Sequence, residues 1–474
     1  MVKGKDLRMH KRLRGKGVIL LVASLILSGW SVPVNISNSA PNSNFPAICS
    51  DRRGWLHVVW EENVGSVWGL NDIYYACRVD SVWTLPLNVS NDSFASWRPD
   101  VAVDTLNRVH VVWGNYETGK IMWTMCEDGV WTTPVSISDS VPYACVAPEI
   151  AVNPLDNAVH CVWHDLGSAT TDAEIWHTYF DGETWSVPEN VTNDTYDSGW
   201  PDIAIDSLGR IHLVWMDYGT EDIFYSCWDG TTWSSPVNIS NLSGQSCAPR
   251  IAIDRDNNPH VVWEERENGY EVYYTYFDGT RWVVPVLVDI DYSRSPVIAV
   301  DKNNRVHVAW THTNGTSNIF YTVYTDTVRE FPPENASNTD SSSGIACVVV
   351  DTQLAHLIWV DNSEGGSSFF KNWEIYYSRR ELLGIGERNK EPSFSFPSIA
   401  IYKLFFTFSL TKSSFVTLSV YDLAGRKVKE VSLGFKGEGT HECRIPLDLP
   451  SGVYFPILKA DTQIFRGKII FINP

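Results

Sequence analysis

A His-x-x-Trp tetrad recurs seven times along this chain, and it restricts the fold more tightly than any other feature. It reads LHVVW, VHVVW, VHCVW, IHLVW, PHVVW, VHVAW and AHLIW, with the tryptophan at Trp60, Trp113, Trp163, Trp215, Trp263, Trp310 and Trp359. The intervals are 53, 50, 52, 48, 47 and 49 residues. A fixed period of this length means that one supersecondary unit has been copied. Each copy carries four short apolar runs rich in Val, Ile, Tyr and Trp. In the fourth these are PDIAID (201–206), RIHLVW (210–215), DIFYSCW (222–228) and WSSPVNIS (233–240), separated by turn residues. No helical periodicity lies between them, so each copy is expected to form one four-stranded antiparallel sheet.

One such sheet cannot cover both of its faces. The copies must therefore pack face to face in a circle, and the expected fold class is all-β: a seven-bladed β-propeller over residues 30–385. The chain ends support closure. The last repeat stops at EIYYSRRE (374–381) without a fourth strand, while WSVPVNIS (30–37), close in sequence to WSSPVNIS, has no partner strands before it. Residues 30–37 are expected to complete the seventh blade and close the ring, which removes exposed sheet edges.

The repeated histidine invites a catalytic or metal-binding reading. However, side chains alternate faces along a strand, so His110 and Trp113 point to opposite sides of their sheet. Stacked sheets stand about 10 Å apart, whereas a zinc ligand must come within about 2.0–2.1 Å. The seven imidazoles are expected to be scaffold, lying between blades on backbone or aromatic partners. Function is expected where the blades differ.

Before the repeats, seven basic residues between Lys3 and Lys16 precede the apolar run VILLVASLIL (18–27). This is the layout of a signal peptide over residues 1–29, and the run is too short for a membrane anchor. Its removal would move the formal charge from −19 to about −25. An exported acidic chain without a basic stripe is unsuited to nucleic acid or anionic membrane. Nine cysteines with no CxxC give neither a zinc signature nor a readable disulfide framework. DRDNN (254–258) suggests calcium at Asp254 and Asp256, but its counterparts DTLNR, DSLGR and DKNNR mark it as a hairpin turn. The Asn-x-Ser/Thr sequons at Asn35, Asn88, Asn190, Asn238 and Asn335 recur in register at the fourth strand and read as strand and turn chemistry.

DGETW (181–185), DGTTW (229–233) and DGTRW (278–282) resemble the Asp-box hairpin of sialidase-like bacterial propellers. That resemblance implies the fold, because the box is structural and lies away from the active face. Sialidases use three arginines, for which Arg98, Arg250 and Arg294 could stand. No tyrosine–glutamate pair is identifiable here, and sialidases have six blades. After GERNKEPSFSFPS (386–398), which reads as a linker, YDLAGRKV, GEGTH and LPSGVYF resemble the Ig-like C-terminal sorting domain of the type IX secretion route. This resemblance implies a β-sandwich over 399–474, contact with the secretion machinery, and a secreted or cell-surface location.

Loops that enter the first strand and leave the second open on one face. The first group there supplies Trp97, Arg98, Asp100, Glu149, Trp200, Asp202, Arg250 and Arg294. Two residues after each repeated tryptophan come Glu62, Asn115, Asp165, Asp217, Glu265, His312 and Asp361. Carboxylates, arginines and tryptophans around one mouth suit a sugar or protein ligand; crowded carboxylates also suit calcium. Three functions follow: a non-enzymatic surface propeller that binds glycan or protein, a sialidase-like or other glycoside hydrolase using two of Glu62, Glu149, Asp202 and Glu265, or a structural component of a surface layer. No nucleophile or catalytic metal cluster stands out.

Overall fold

The computed structural model describes residues 29–382, except 40–41, 66–69, 92, 268, 291, 340, 352 and 363–371, together with most of 394–472. The chain divides into two compact units between residues 382 and 383. The expected signal peptide and most of the expected linker lie outside the described residues.

The first unit contains seven antiparallel sheets of four or five strands each. Their first strands are Ser43–Ser50, Ser96–Val103, Cys145–Val152, Ser198–Ile205, Gln245–Ile253, Ser293–Val300 and Ser343–Val350. We number the blades 1 to 7 in that order. Each first strand packs beside that of the next blade, and Ser343–Val350 packs beside Ser43–Ser50, so the ring is closed with seven members. The seventh sheet is completed by Val34–Asn35, which pairs with Glu374–Glu381 through Val34↔Tyr377 and Asn35↔Tyr376. Backbone bonds from Ser31 N to Arg379 O and from Ile36 N to Ile375 O, both 2.8 Å, extend this seam.

All seven repeated tryptophans are fully buried. Trp113 packs toward blade 1 with Val59, Ile73 and Val89, while His110, on the opposite face, stacks with Trp123 and contacts Phe180 of blade 3. The histidines belong to the scaffold, with one difference from expectation: their main partners are side chains of their own blade. His212 bonds through Nδ1 to Tyr225 Oη (2.8 Å) and through Nε2 to Asp206 Oδ2 (3.3 Å). The same Asp–His–Tyr series recurs as Asp51–His57–Tyr75, Asp254–His260–Tyr274, Asp301–His307–Tyr321 and Asp351–His356–Tyr377. In these five blades both imidazole nitrogens face a partner, and the Asp that opens the first hairpin supplies one of them. Blades 2 and 3 depart: His110 keeps Asp104 but finds Trp123 where those five have tyrosine, and in blade 3 Asn153 replaces the aspartate while His160 meets His177 Nε2 at 3.0 Å.

The tyrosine of each series also reaches across to the next blade. Tyr75 meets Trp131, Tyr225 meets Trp282, and Tyr377 meets Trp83, with ring centroids 4.9–5.2 Å apart. At the closing junction the partner of Tyr321 is Trp30, edge-on at 4.9 Å. The tryptophans that follow the third turn (Trp83, Trp131, Trp185, Trp233 and Trp282), with Trp30 at the seam, are thus inter-blade clamps.

The hairpin reading of DRDNN is the observed one. Asp254 Oδ1 accepts the amides of Asp256 and Asn258, and Oδ2 faces Asn258 Nδ2 and His260. Its oxygens are thus used within the turn. The eight cysteines whose side chains are described are all free.

The second unit holds a three-stranded sheet, Phe394–Ser395, Lys403–Leu410 and Gly439–Pro446, and a six-stranded sheet that includes Ser414–Tyr421, Lys427–Lys436 and Gly452–Ala460. Val416, Leu418 and Val420 alternate inward with Leu458 and Ala460 and are fully buried, as the period of a half-buried strand requires.

Candidate functional site at the mouth of the ring

Every first strand breaks register near its start. The breaks fall between Asn44/Ala47, Trp97/Asp100, Val146/Glu149, Gly199/Asp202, Cys247/Arg250, Arg294/Val297 and Gly344/Ala346. Within each break one non-glycine residue takes a left-handed φ: Phe45 (45°), Arg98 (48°), Ala147 (51°), Trp200 (55°), Ala248 (49°), Ser295 (49°) and Ile345 (43°). In blades 1 to 6 a proline follows it. Such a conformation costs about 1–3 kcal/mol per residue, and a bulge re-aims the side chains beyond it.

The re-aimed residues line a central cavity of about 760 Å³ to which all seven first strands contribute. Two residues beyond each left-handed position stand Ala47, Asp100, Glu149, Asp202, Arg250, Val297 and Cys347. This inner ring is one-sided. Blades 2 to 5 give it three acids and a guanidinium, whereas blades 6, 7 and 1 give Val, Cys and Ala. The left-handed positions form an outer ring in which Arg98 is the large polar member and Phe45 and Trp200 are the aromatic ones.

Hydrogen bonds fix this arrangement. Arg250 Nη1 donates to Glu149 Oε1 at 2.8 Å, joining blade 5 to blade 3. Asp100 Oδ2 accepts the amide of Ile150 (2.9 Å), and Asp202 Oδ2 that of Ile251 (2.8 Å), each from the next blade. The amides in the bulges are taken up by residues next to the repeated tryptophans: Arg98 N by Glu61 Oε1 (2.6 Å), Trp200 N by His164 Nδ1 (3.4 Å) and Ser295 N by Glu264 Oε2 (3.2 Å). The guanidinium of Arg98 lies 4.5 Å from the ring centroids of both Phe45 and Trp200.

The electrostatics follow from enclosure. Burial, opposed by Arg250 and aided by the Glu149 charge, pushes Asp202 up to about 7. Glu149 is raised by burial despite Arg250, and Asp100 is raised by burial despite the Ile150 amide. The charge of Asp100 raises Glu149 further. Burial also pushes Glu61 up to about 7 and the Cys347 thiol up to about 12. Enclosure thus raises all three acids above the ordinary carboxylate range.

Of the residues singled out in the sequence, Arg98, Asp100, Glu149, Trp200, Asp202 and Arg250 all line this cavity. Trp97 and Arg294 stand beside it on the outer surface. Trp97 stacks on Tyr116, and the Arg294 guanidinium lies 3.3 Å from the Tyr270 ring centroid.

The second group differs from expectation. Glu62, Asp165, Asp217, Glu265 and Asp361, with Asn115, sit at the same end of each blade but are at most 5 % exposed. They are spent on the fold. Glu62 accepts Trp60 Nε1 (2.8 Å) and Ser43 Oγ (2.8 Å), Glu265 accepts Trp263 Nε1 (3.2 Å) and Ser246 Oγ (2.7 Å), and Asp361 accepts Trp359 Nε1 (3.2 Å) and Ser343 Oγ (2.5 Å). Asp165 takes Trp176 Nε1 (2.9 Å), while Asp217 and Asn115 each take the amide of a threonine three residues on. His312 instead bonds Asp289 Oδ2 (3.0 Å). In blades 1, 5 and 7 the carboxylate two residues on thus supplies the acceptor of the buried indole N–H.

Sequence reasoning missed Phe45, Met216, Tyr218, Cys247, Glu264, Arg266 and Cys347 as cavity-lining residues. A signal was available for Tyr218, because it and Tyr116 each stand three residues after a repeated tryptophan where other blades carry no aromatic. Among the described residues, no group of three or more His, Cys, Asp or Glu side chains is placed to hold a metal ion.

No curated protein matches the chain. Among solved structures, an ulvan lyase, a new family of polysaccharide lyase bound to -[GlcA(1-4)Rha3S]-, aligns with a TM-score of 0.51 at 10% identity, covering 73% of this chain and 93% of that one. The Penicillium chrysogenum α-L-arabinanase aligns at 0.44 and 11% identity (74% and 98% covered), and the intramolecular trans-sialidase from Ruminococcus gnavus at 0.42 and 13% (73% and 96%). At such identities the likeness concerns fold alone. Residues 402–473 match the family of the secretion system C-terminal sorting domain. The chain is a β-propeller followed by a sorting domain of the type IX route, and it is a secreted or cell-surface protein.

Proposed function

We propose that the propeller is a non-enzymatic binding module of the cell surface or medium that takes a glycan or protein ligand in the mouth of its ring. The observation that carries this reading is the convergence of Arg98, Asp100, Glu149, Trp200, Asp202 and Arg250 from four consecutive blades on one cavity of about 760 Å³. The cavity offers an indole face, guanidinium donors and carboxyl groups that both donate and accept. A pyranose ring, apolar on its faces and hydroxylated at its edge, meets such a wall with stacking and hydrogen bonds together. Export by the sorting domain would bring the mouth to extracellular polymers.

A glycoside hydrolase is the second reading, and the raised carboxyls of Glu149 and Asp202 favour it, since a general acid must keep its proton near neutrality. Several features weigh against it. Glu149 is paired with Arg250, Asp202 is tied to the Ile251 amide, and Glu62 and Glu265 are sealed beneath indoles. A glycan array with the full chain, run beside a panel of fluorogenic glycosides, separates the two. Binding without turnover supports the module, whereas hydrolysis abolished by Glu149→Gln or Asp202→Asn establishes the enzyme.

A further inference from the structure

On two blades, exposed aromatic rings form couples that continue outward from the mouth. On blade 2, Trp97 and Tyr116 are stacked, with centroids 5.4 Å apart and planes 19° apart, and they are 37% and 71% exposed. On blade 4, Trp200 Nε1 donates to Tyr218 Oη at 2.9 Å. This second couple lies tight against backbone: a Cβ on Gly199 would stand 3.0 Å from the Tyr218 ring, and one on Gly219 would stand 2.3 Å from the ring of Tyr196. Tyr218 and Tyr196 remain 43% and 53% exposed.

Arg98 joins the two couples. It follows Trp97 in the chain, and its guanidinium faces the Trp200 ring. At the position of Tyr116 and Tyr218 the other blades carry Asn63, Leu166, Arg266, Thr313 and Asn362, so the aromatics form a track and not a uniform crown.

From this we infer that the track binds an extended oligosaccharide, with one sugar ring at the mouth against Trp200 and Arg98 and further rings carried outward on Trp97 and Tyr116. The inference rests on the glycan reading of the mouth and adds that the ligand is a chain. The occupant follows from the surface chemistry. A helix or loop docking here would want a contiguous dry apolar patch, but each large ring is interrupted by a polar group: the Arg98 guanidinium, the Tyr218 hydroxyl and the Trp200 indole N–H. Ring faces alternating with hydrogen-bonding groups match successive pyranoses, each with C–H faces and a hydroxyl rim. The φ of 48° at Arg98 produces the layout, since it turns Arg98 into the mouth and leaves Trp97 on the outer surface.

The test uses the full chain on an array of neutral, amino and uronic oligosaccharides, each printed as a length series from a single sugar upward. Wild type is expected to bind more tightly as the chain lengthens. Tyr116→Ala, at an exposed site, is expected to weaken the longer members by about tenfold and to leave the shortest unchanged. Trp200→Ala is expected to weaken all lengths. Length-independent binding that Tyr116→Ala does not alter, yet Trp200→Ala abolishes, would overturn the chain inference and leave the mouth reading standing. Failure to bind any member would overturn both.

Discussion

Arg250 and Glu149 form an ion pair at 2.8 Å between blades 5 and 3, and it stands in the wall of the central cavity and not on the outer surface. It pairs one of the three acids of the inner ring with the ring's own guanidinium. Removing the cation takes from Asp100, Glu149 and Asp202 a positive charge that acts on all three. Arg250→Ala is therefore expected to raise all three carboxyls further and to deepen proton uptake at neutral pH. Potentiometric titration of wild type against the variant checks this, and identical proton counts between pH 5 and 8 would count against it.

Asp202 carries a stability cost whose sign can be worked out. Its folded pKa of about 7 lies above the ordinary 3.8, so between those values the unfolded chain has already lost a proton that the folded chain retains. Its contribution to stability falls as pH rises through that window. Asp202→Asn, which keeps an acceptor for the Ile251 amide, is expected to gain thermal midpoint relative to wild type from pH 4 to 7. A constant difference across the window would contradict the assignment.

The histidines act in the opposite direction. Burial holds His57, His110, His212 and His307 below their ordinary value, His160 at about 3 and His164 at about 4. Between these values and 6.5 the unfolded chain binds more protons, so stability is lost as pH falls through that range. His164 adds a local effect, because its Nδ1 must stay unprotonated to accept the Trp200 amide. Tryptophan fluorescence is expected to change near pH 4, before global unfolding, and His164→Gln should remove that step.

Ring closure predicts a further stability effect. Trp30 packs edge-on against Tyr321, and its Nε1 donates to Glu334 Oε1 at 3.0 Å, while Val32 nearby is 84% exposed. Trp30→Ala is expected to cost about 2–3 kcal/mol, less than a fully buried tryptophan would. Val32→Ala should change stability by under about 0.5 kcal/mol. Denaturant titration of both variants checks the contrast, and equal midpoints would mean that the seam does not hold the ring.

The scaffold histidines should be separable from function. Tyr225→Phe removes the Nδ1 partner of His212 and is expected to cost about 1–2 kcal/mol with no change in ligand affinity. Loss of affinity equal to that of a mouth variant would return the histidines to the site.

Blade number, ring closure and the scaffold role of His110 and its counterparts were legible because they depend on periodicity, and strand alternation is a local rule. The partners of the histidines were not, since pairing His212 with Asp206 and Tyr225 requires three strands in register. The mouth was legible in half. Arg98, Asp100, Glu149, Trp200, Asp202 and Arg250 were marked by their place around a recurring proline. Glu62 and its counterparts were misplaced because sequence position gives the end of the blade but not which side of the loop a carboxylate occupies, and the indole N–H of Trp60 decided that. Phe45 carried the same mark, standing before Pro46 as Arg98 stands before Pro99, and was passed over; Cys347 had none, because blade 7 lacks the proline.

The most direct test of the account is calorimetric titration of the strongest array ligand into wild type, Arg250→Ala and Trp200→Ala, with thermal midpoints recorded in parallel. The expected result is a loss of affinity of about tenfold or more in each variant while the ring stays folded. Affinity unchanged in both folded variants would show that the ligand site lies elsewhere on the protein.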